Sequence, residues 1–230
     1  TTGPSATITG TNTLNIYSNL LLSPGFTWSH TGNLNFKATA TGKTINTFDK
    51  TIGSNVTFDG IGGGWELDDQ LTISGTLAMT NGTLTLGANN LTLSSNTAPT
   101  RTSGIITATN TNARVTFANT SAITLPSGLF TSNTISKLTM NGTGGVTIPQ
   151  DLDVTYNLTL TSGLLRLGNY SLTLGETGSV SGTPSASNMV ATTGTGYFKK
   201  IFATGNTASF SFPIGDETGT TEYSPYTIDF

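Results

Sequence analysis

Residues 65–93 read WELDDQLTISGTLAMTNGTLTLGANNLTL, and residues 146–174 read VTIPQDLDVTYNLTLTSGLLRLGNYSLTL. When the first stretch is shifted by 81 positions, from 65 to 146, each of its regularly spaced apolar residues aligns with an apolar residue of the second. The aligned residues are Trp65, Leu67, Leu71, Ile73, Leu77, Met79, Leu84, Leu86, Leu91 and Leu93 with Val146, Ile148, Leu152, Val154, Leu158, Leu160, Leu165, Leu167, Leu172 and Leu174. Internal similarity of this kind, built from short and evenly spaced units, predicts a stacked repeat architecture.

The repeated units are triplets of an apolar, a polar and a second apolar residue, as in Leu71-Thr72-Ile73 and Leu91-Thr92-Leu93. This alternation places both apolar side chains on one side of a strand and the polar one on the other. In residues 65–93 the triplets begin at 65, 71, 77, 84 and 91, so successive starts lie 6 or 7 residues apart. Three such steps make a coil of about 20 residues, which is typical of solenoid repeats. We therefore predict an all-β chain that forms a right-handed parallel β-helix of roughly nine turns.

Glycine and asparagine lie between the triplets, where a coil must bend. Examples are Asn81-Gly82 and Asn141-Gly142, and both residue types tolerate a positive φ. The same Asn-Gly pairs are typical of β-hairpins, so an antiparallel meander is the alternative fold. Strands of such sheets usually have about 5–6 residues. Because the triplets are shorter than this, their spacing favours the coil.

The composition changes near residue 190, after which aromatic residues become frequent. They are Tyr197, Phe198, Phe202, Phe210, Phe212, Tyr223, Tyr226 and Phe230. A solenoid exposes an apolar cross-section at its end and therefore needs a cap. We predict a parallel β-helix over residues 1–190. Residues 191–230 would then form a short aromatic-rich β segment, either a cap or the start of a following β-sandwich module.

The composition also argues against several classes of partner. Charged residues make up 9% of the chain, and the formal net charge is −3. A nucleic-acid partner would need a stripe of Lys and Arg, whereas only Lys199-Lys200 are adjacent basic residues, which we interpret as a solvated strand edge. No apolar run approaches the roughly 20 residues of a membrane-spanning helix. The absence of cysteine excludes disulfides, thiolate metal sites and cysteine nucleophiles.

Two runs resemble the repeats of large cell-surface and secreted adhesin-like proteins of Bacteroidota: VTFDGIGGGWELDDQLTISGTLAMTNGTLTLGANNLTL and KLTMNGTGGVTIPQDLDVTYNLTLTSGLLRLGNYSLTL. The later segment FSFPIGDETGTTEYSPYTIDF resembles the module that often follows such repeats. The resemblance covers roughly residues 30–230. It implies a β-helix that is exported, by the type IX route, and displayed at the cell surface or released outside the cell.

Parallel β-helices also include polysaccharide lyases and glycoside hydrolases, so a carbohydrate-active enzyme is the main alternative function. Glycoside hydrolysis uses two carboxylates about 5–9.5 Å apart, and the candidate pairs are Asp68 with Asp69 and Asp151 with Asp153. We interpret both pairs as solvated corners of the coil. Such corners also carry the oxygen ligands that calcium prefers, although the sequence has neither an EF-hand loop nor a GGxGxD repeat.

Outward threonines form a further candidate surface, which could order water or contact ice. They are Thr83, Thr85, Thr92, Thr159, Thr161 and Thr173. Across the 81-residue shift, Leu164 and Arg166 replace Thr83 and Thr85, which argues against a uniform column. Threonine is also a good strand former on any solvated face.

Aromatic rings on an exposed face could instead stack on sugars, and the candidates are Trp28, Trp65 and Tyr170. The alignment of Trp65 with Val146 favours a place in the core for this tryptophan. His30, the single histidine, is interpreted as a surface or packing residue. We therefore assign no catalytic, cofactor-binding or metal-binding residue and expect no cofactor.

The function that we expect is structural: an extracellular or surface-displayed adhesive segment of a surface protein or fibre, without catalysis. The expected partners are surface glycans or further copies of the chain, in a fibre or homo-oligomer. A β-helix polysaccharide lyase or glycoside hydrolase and an ice- or surface-binding solenoid are the two alternatives.

Overall fold

The structure is a computed structural model that describes residues 6–230. These residues form strands and connecting turns, with no helix among them. The strands are β1 (Thr7–Gly10), β2 (Leu14–Ile16), β3 (Leu20–Leu21), β4 (Thr27–His30), β5 (Leu34–Phe36), β6 (Lys43–Asn46), β7 (Thr51–Ile52), β8 (Val56–Leu67), β9 (Leu71–Ile73), β10 (Leu77–Thr85), β11 (Asn90–Leu93), β12 (Thr100–Arg101), β13 (Ile105–Ala108), β14 (Arg114–Phe117), β15 (Ile123–Thr124), β16 (Phe130–Asn141), β17 (Val146–Thr147), β18 (Leu152–Ser162), β19 (Leu165–Arg166), β20 (Leu172–Leu174), β21 (Ser179–Gly182), β22 (Val190–Ala191), β23 (Phe198–Lys200), β24 (Phe210–Phe212), β25 (Ile214–Asp216), β26 (Glu222–Tyr223) and β27 (Tyr226–Ile228).

The strands pair in parallel with the equivalent strand of the next coil, which confirms the parallel β-solenoid. One ladder joins residues that are 20 to 24 positions apart in the chain. Its members are Ile52, Ile73, Leu93, Phe117, Met140 and Leu160. The chain makes about 10 turns, close to the nine expected.

Each coil contributes to three faces. The first face includes β2, β5, β15, β17, β19, β22 and β25, together with the amino-terminal parts of β8 and β10. The second includes β3, β6, β13, β20 and β23, with the carboxyl-terminal parts of β8 and β10 and the amino-terminal parts of β16 and β18. The third includes β7, β9, β11, β14 and β21, with the carboxyl-terminal parts of β16 and β18.

The 81-residue repeat does not correspond to a whole number of turns. Trp65 is in register with Leu84 on the second face, whereas its aligned residue Val146 is in register with Ile123 and Leu165 on the first. The two stretches therefore match in their triplets but are rotated by one face. The structural repeat is the single coil.

Inward side chains form one continuous apolar core along the axis, as the triplets predict. Phe36 stacks on Phe58 one coil above it, with ring centroids 4.7 Å apart, and Trp65 packs edge-on against Phe58 at 5.2 Å. Trp65 is 1% exposed, which confirms its place in the core. Burying one side chain of this size contributes about 1.5–3 kcal/mol, so the columns offset chain entropy without disulfides.

The Asn-Gly pairs lie at corners of the coil and not in hairpins. Asn81-Gly82 lies inside β10, whose pairings are all parallel. Gly82 has φ +81°, and a Cβ there would lie 2.8 Å from the carbonyl oxygen of Gly60. A side chain would fit neither the backbone conformation nor the spacing between coils. The hairpin alternative is therefore wrong at this corner.

Parallel pairing continues past residue 190, because β23 stacks on β20 and β25 stacks on β22. Antiparallel pairs then appear, β25 with β26 and β24 with β27. Phe210 and Phe212 of β24 pack edge-on against Phe198 of the last coil, and Phe202 packs against Phe230. This aromatic cluster covers part of the apolar end of the stack.

Candidate functional site

Six threonines and one serine stack in a single column on the third face, one residue in each of seven successive coils. The threonine column consists of Thr51, Thr72, Thr92, Thr116, Thr139, Thr159 and Ser181. From Thr72 to Thr159, each residue of the column lies between two buried apolar residues of its strand. Since paired strands lie about 4.8 Å apart, the column is about 30 Å long.

A second polar column runs beside the last five of these residues, two residues earlier in each strand. This flanking column consists of Asn90, Arg114, Lys137, Asn157 and Ser179. At one end, Asn90 donates from Nδ2 to Thr92 Oγ1 and accepts from Thr116 Oγ1, each at 3.0 Å. At the other end, Asn157 accepts from Thr159 Oγ1 at 2.6 Å and donates to Ser179 Oγ at 3.1 Å. The two columns therefore form a regular array of hydroxyl, amide and cationic groups.

The sequence argument against a uniform threonine column is wrong. Thr85 belongs to the second face, where it is in register with Thr107, whereas Arg166 belongs to the first face, beside Thr147 and Ala191. The 81-residue shift compared residues of different faces. The column is recognised from the strand register within the third face and not from the alignment of the two stretches.

The two members of each candidate aspartate pair differ in their contacts. Asp69 accepts backbone N–H groups of Thr47 and Asp49, at 2.9 and 2.8 Å, and so fixes the corner of the coil below. Asp151 does the same through the N–H of Ser171 at 2.7 Å. Their neighbours in sequence, Asp68 and Asp153, are exposed. One member of each pair therefore has a structural role.

His30 is a packing residue at a corner. It is 6% exposed, its Nε2 donates to the carbonyl oxygen of Asn12 at 2.8 Å, and its Nδ1 lies 3.3 Å from Ser54 Oγ. The Ser54 hydroxyl in turn donates to the His30 carbonyl oxygen at 2.9 Å. These bonds join three coils and use both ring nitrogens.

The candidate aromatic residues differ in the exposure of their side chains. Trp65 is in the core and Trp28 is half-buried, whereas Tyr170 is 42% exposed at the corner between the first and second faces. Sequence reasoning missed Tyr197 in the next coil, which is 60% exposed and has the Lys199 ammonium 5.1 Å from its ring centre. Its position one coil above Tyr170 follows only from the register of β20 and β23.

The interpretation of Lys199-Lys200 as a solvated edge holds for Lys199 alone. Lys200 donates to the carbonyl oxygens of Gly175, Glu176 and Ile201 at 2.6, 2.7 and 2.8 Å. Its ammonium also lies 5.5 Å from the ring centre of Phe202. Burial lowers the pKa of Lys200 below its ordinary value. This lysine therefore joins the last coil to the terminal segment.

A polar ladder crosses four coils at the corner between the first and second faces. Lys37 Nζ lies 2.9 Å from Asp59 Oδ2, Asn81 donates to Asp59 Oδ1 at 2.8 Å, and Ser103 donates to Asn81 Oδ1 at 2.9 Å. Hydrogen bonds from Lys37 and Asn81 hold the pKa of Asp59 below its ordinary value, and the bond to Asp59 raises the pKa of Lys37. The ladder satisfies polar groups and leaves no unpaired charge.

Two open clefts flank the coils. One, of about 440 Å³, lies between β21 and β24 and is lined by residues that include Val180, Phe210 and Tyr223. The other, of about 410 Å³, lies on the second face around Lys43, Glu66 and Thr85. Both are shallow surface features and not enclosed cavities.

Within residues 6–230, no three His, Cys, Asp or Glu side chains converge as a metal site would require. The same range contains no helix that is long and apolar enough to cross a membrane. Comparison of the chain with protein-family models, with curated proteins and with solved structures found no match.

Proposed function

We propose that this chain is a structural and adhesive segment of an extracellular surface protein. The observation that carries the proposal is the pair of stacked polar columns on the third face. Their hydroxyl and amide groups both donate and accept hydrogen bonds, as the hydroxyls of a glycan also do. The apolar core below holds the columns at a fixed spacing, so binding would cost little conformational entropy.

The shape of the molecule supports the same proposal. About 10 turns at about 4.8 Å each give a stiff rod about 50 Å long. Such a rod exposes long faces and places a binding surface away from the point where it is attached. The resemblance to Bacteroidota surface repeats agrees with this role and implies export and surface display.

One experiment distinguishes an adhesive function from a catalytic one. Beads coated with the chain are tested for retention on immobilised polyuronates and neutral glycans, and the same glycans in solution are assayed for new reducing ends. We expect retention without cleavage, and no difference in the cleavage assay between the natural chain and Asp151→Asn or Asp153→Asn. Cleavage that these variants abolish would instead establish a carbohydrate-active enzyme.

The uninterrupted threonine column also supports a second candidate, binding to an ice or other crystal surface. Two features oppose it: Arg114 and Lys137 flank the column, and several of its hydroxyls are already hydrogen-bonded to Asn90 and Asn157. An ice-binding surface needs hydroxyls that are free to order water. Thermal hysteresis at millimolar chain concentration would establish this candidate.

A further inference from the structure

Arg114 and Lys137 are like charges placed side by side. They are register partners on β14 and β16, in adjacent coils of the flanking column. Like charges in directly opposed positions of a sheet destabilise it. The ion pairs of residues 6–230 are Lys37 with Asp59 and Arg166 with Glu217, so neither of these two cations has a carboxylate partner there.

The environment leaves both charges available to a ligand. Arg114 is exposed, and its side chain forms no hydrogen bond within the described part of the chain. Lys137 Nζ donates to Asn112 Oδ1 at 3.1 Å, a neutral acceptor. Neither the flanking column nor the threonine column contains Asp or Glu, although the whole chain has 12 acidic and 9 basic residues. A local positive potential therefore remains in an otherwise acidic protein.

One neutral group beside the two cations also lacks a hydrogen-bond partner. Thr139 lies beside Lys137 in the same strand, and its Oγ1 is enclosed without a hydrogen-bond partner in residues 6–230. The networks around Asn90 and Asn157 begin one coil on either side of the two cations. The two cations therefore lie at the centre of the array, between these two hydrogen-bonded networks.

We propose that Arg114 and Lys137 bind the carboxylate or sulfate groups of a linear acidic polysaccharide lying along the flanking column. The inference rests on the proposed adhesive function and names its ligand class. Two cations would hold the anionic groups, and the amides and hydroxyls of neighbouring coils would use their remaining donor and acceptor capacity on the sugar hydroxyls. The spacing between coils, about 4.8 Å, is close to the length of one sugar residue, so successive sugars could meet successive coils.

Other polyanions and a protein partner fit less well. A nucleic acid presents a denser line of phosphates and requires a longer stripe of cations than two residues provide. Protein interfaces centre on buried aromatic or Arg anchors whose surrounding contacts exclude water, whereas both columns consist of small polar side chains around the two cations. Charge complementarity therefore favours the acidic glycan.

The test compares polygalacturonate with its fully methyl-esterified form, which keeps the sugar chain and removes the charge. Sulfated glycan, free galacturonate, inorganic sulfate and a DNA oligonucleotide form the other arms. Binding is measured by calorimetry at two salt concentrations. We expect the acidic polymers to bind, the ester to bind at least about tenfold more weakly, and the affinity to fall with added salt.

The double variant Arg114→Gln, Lys137→Gln should lose about tenfold or more in affinity for the acidic polymer. The matched control, Lys43→Gln, Lys199→Gln, removes the same charge from the second face and should bind normally. Both variants are checked by thermal melting, and removal of the like-charge pair should leave the melting temperature unchanged or higher.

Equal binding of acid and ester, unchanged affinity of the folded double variant, equal affinity for DNA, or no binding to any acidic polymer would each overturn the inference. Retention on neutral glycans in these cases would leave the proposed adhesive function standing. Release of reducing ends would overturn that function instead.

Discussion

At the scale of single residues, the coil brings polar residues that are distant in the sequence into contact. Lys37, Asp59, Asn81 and Ser103 lie about 22 residues apart along the chain and form one hydrogen-bonded ladder. No short-range pattern in the sequence links them. Lys37 and Asp59 each follow an inward phenylalanine, so alternation predicts their outward position, but the choice of partner depends on the number of residues in each coil.

The Asp59 carboxylate should make stability depend on acid pH. Since the folded-state pKa is lowered, mainly by the hydrogen bond from Lys37, its contribution is fully present above the unfolded pKa of about 3.9. It is lost as the pH falls through the lower folded-state value. The Asp59→Asn variant should therefore be less stable than the natural chain at pH 6, and the difference should shrink below pH 4.

Urea unfolding at a series of pH values measures this difference. Both side chains of the ion pair are about one-third exposed, at 32% and 31%, so the effect is expected to be modest. A difference that stays constant from neutral to strongly acidic pH would contradict the assignment of the ladder to ionised Asp59.

Lys200 should matter more for stability than its neighbour Lys199. The Lys200→Ala variant leaves three carbonyl oxygens without their shared donor, and a loss of about 1–3 kcal/mol is expected. Lys199→Ala removes an exposed cation that lies over Tyr197 and should cost less than about 1 kcal/mol. Thermal melting of the two variants compares them, and equal losses would show that the terminal segment is not held by Lys200.

At the scale of elements, the corners decide how closely coils stack. Some strands end at a corner, whereas β8, β16 and β18 continue around it and pair on two faces. Where the corner of one coil lies directly on the corner below, the backbones approach too closely for a side chain. A Cβ at Gly163 would lie 1.9 Å from the carbonyl oxygen of Gly142, so glycine is required there by contact as well as by conformation.

Alanine variants of two glycines with positive φ distinguish the effect of close contact from the effect of backbone conformation. Gly163 has φ +80° and the close carbonyl, whereas Gly168 has φ +56° and no atom within 4 Å of a built Cβ. Both alanine variants bear the cost of a left-handed backbone, about 1–2 kcal/mol. Gly163→Ala should lose about 1–3 kcal/mol more, because the stacked backbones must separate. Denaturant unfolding measures both, and equal losses would argue against close stacking at this corner.

At the scale of the whole molecule, each coil contacts only the coils above and below it. Stability in such a stack is approximately a sum of coil and interface terms, so the ends should open before the centre. β1 pairs only with β4, and the terminal hairpin joins β24 only to β27, whereas β14 and β16 lie between paired strands on both sides.

Hydrogen exchange measured by mass spectrometry should therefore show graded protection. Peptides from β11 to β18 should exchange most slowly, and those from β1 and from β24 to β27 most rapidly. Uniform protection from end to end would mean that the stack opens as one cooperative unit, against this expectation.

The sequence alone determined which side chains point inward. Period-two alternation depends only on strand geometry, so triplets such as Leu71-Thr72-Ile73 identify the core and the all-β coil without knowledge of the neighbours. Residues 94–137 contain fewer regular triplets, and β16 within them has a register shift with Ser132 and Asn133 at φ +52° and +54°.

Only the tertiary structure decided which triplet stacks on which. Coils of 19 to 26 residues differ in their corners, and a few added residues shift every later triplet relative to a fixed sequence spacing. The 81-residue match therefore paired apolar residues with apolar residues but placed triplets of different faces opposite each other. It could not distinguish the faces, because any two inward triplets look alike along the chain. The threonine column and the Arg114 and Lys137 pair arise from backbone pairing between coils, which is set by the whole stack and not by the local sequence.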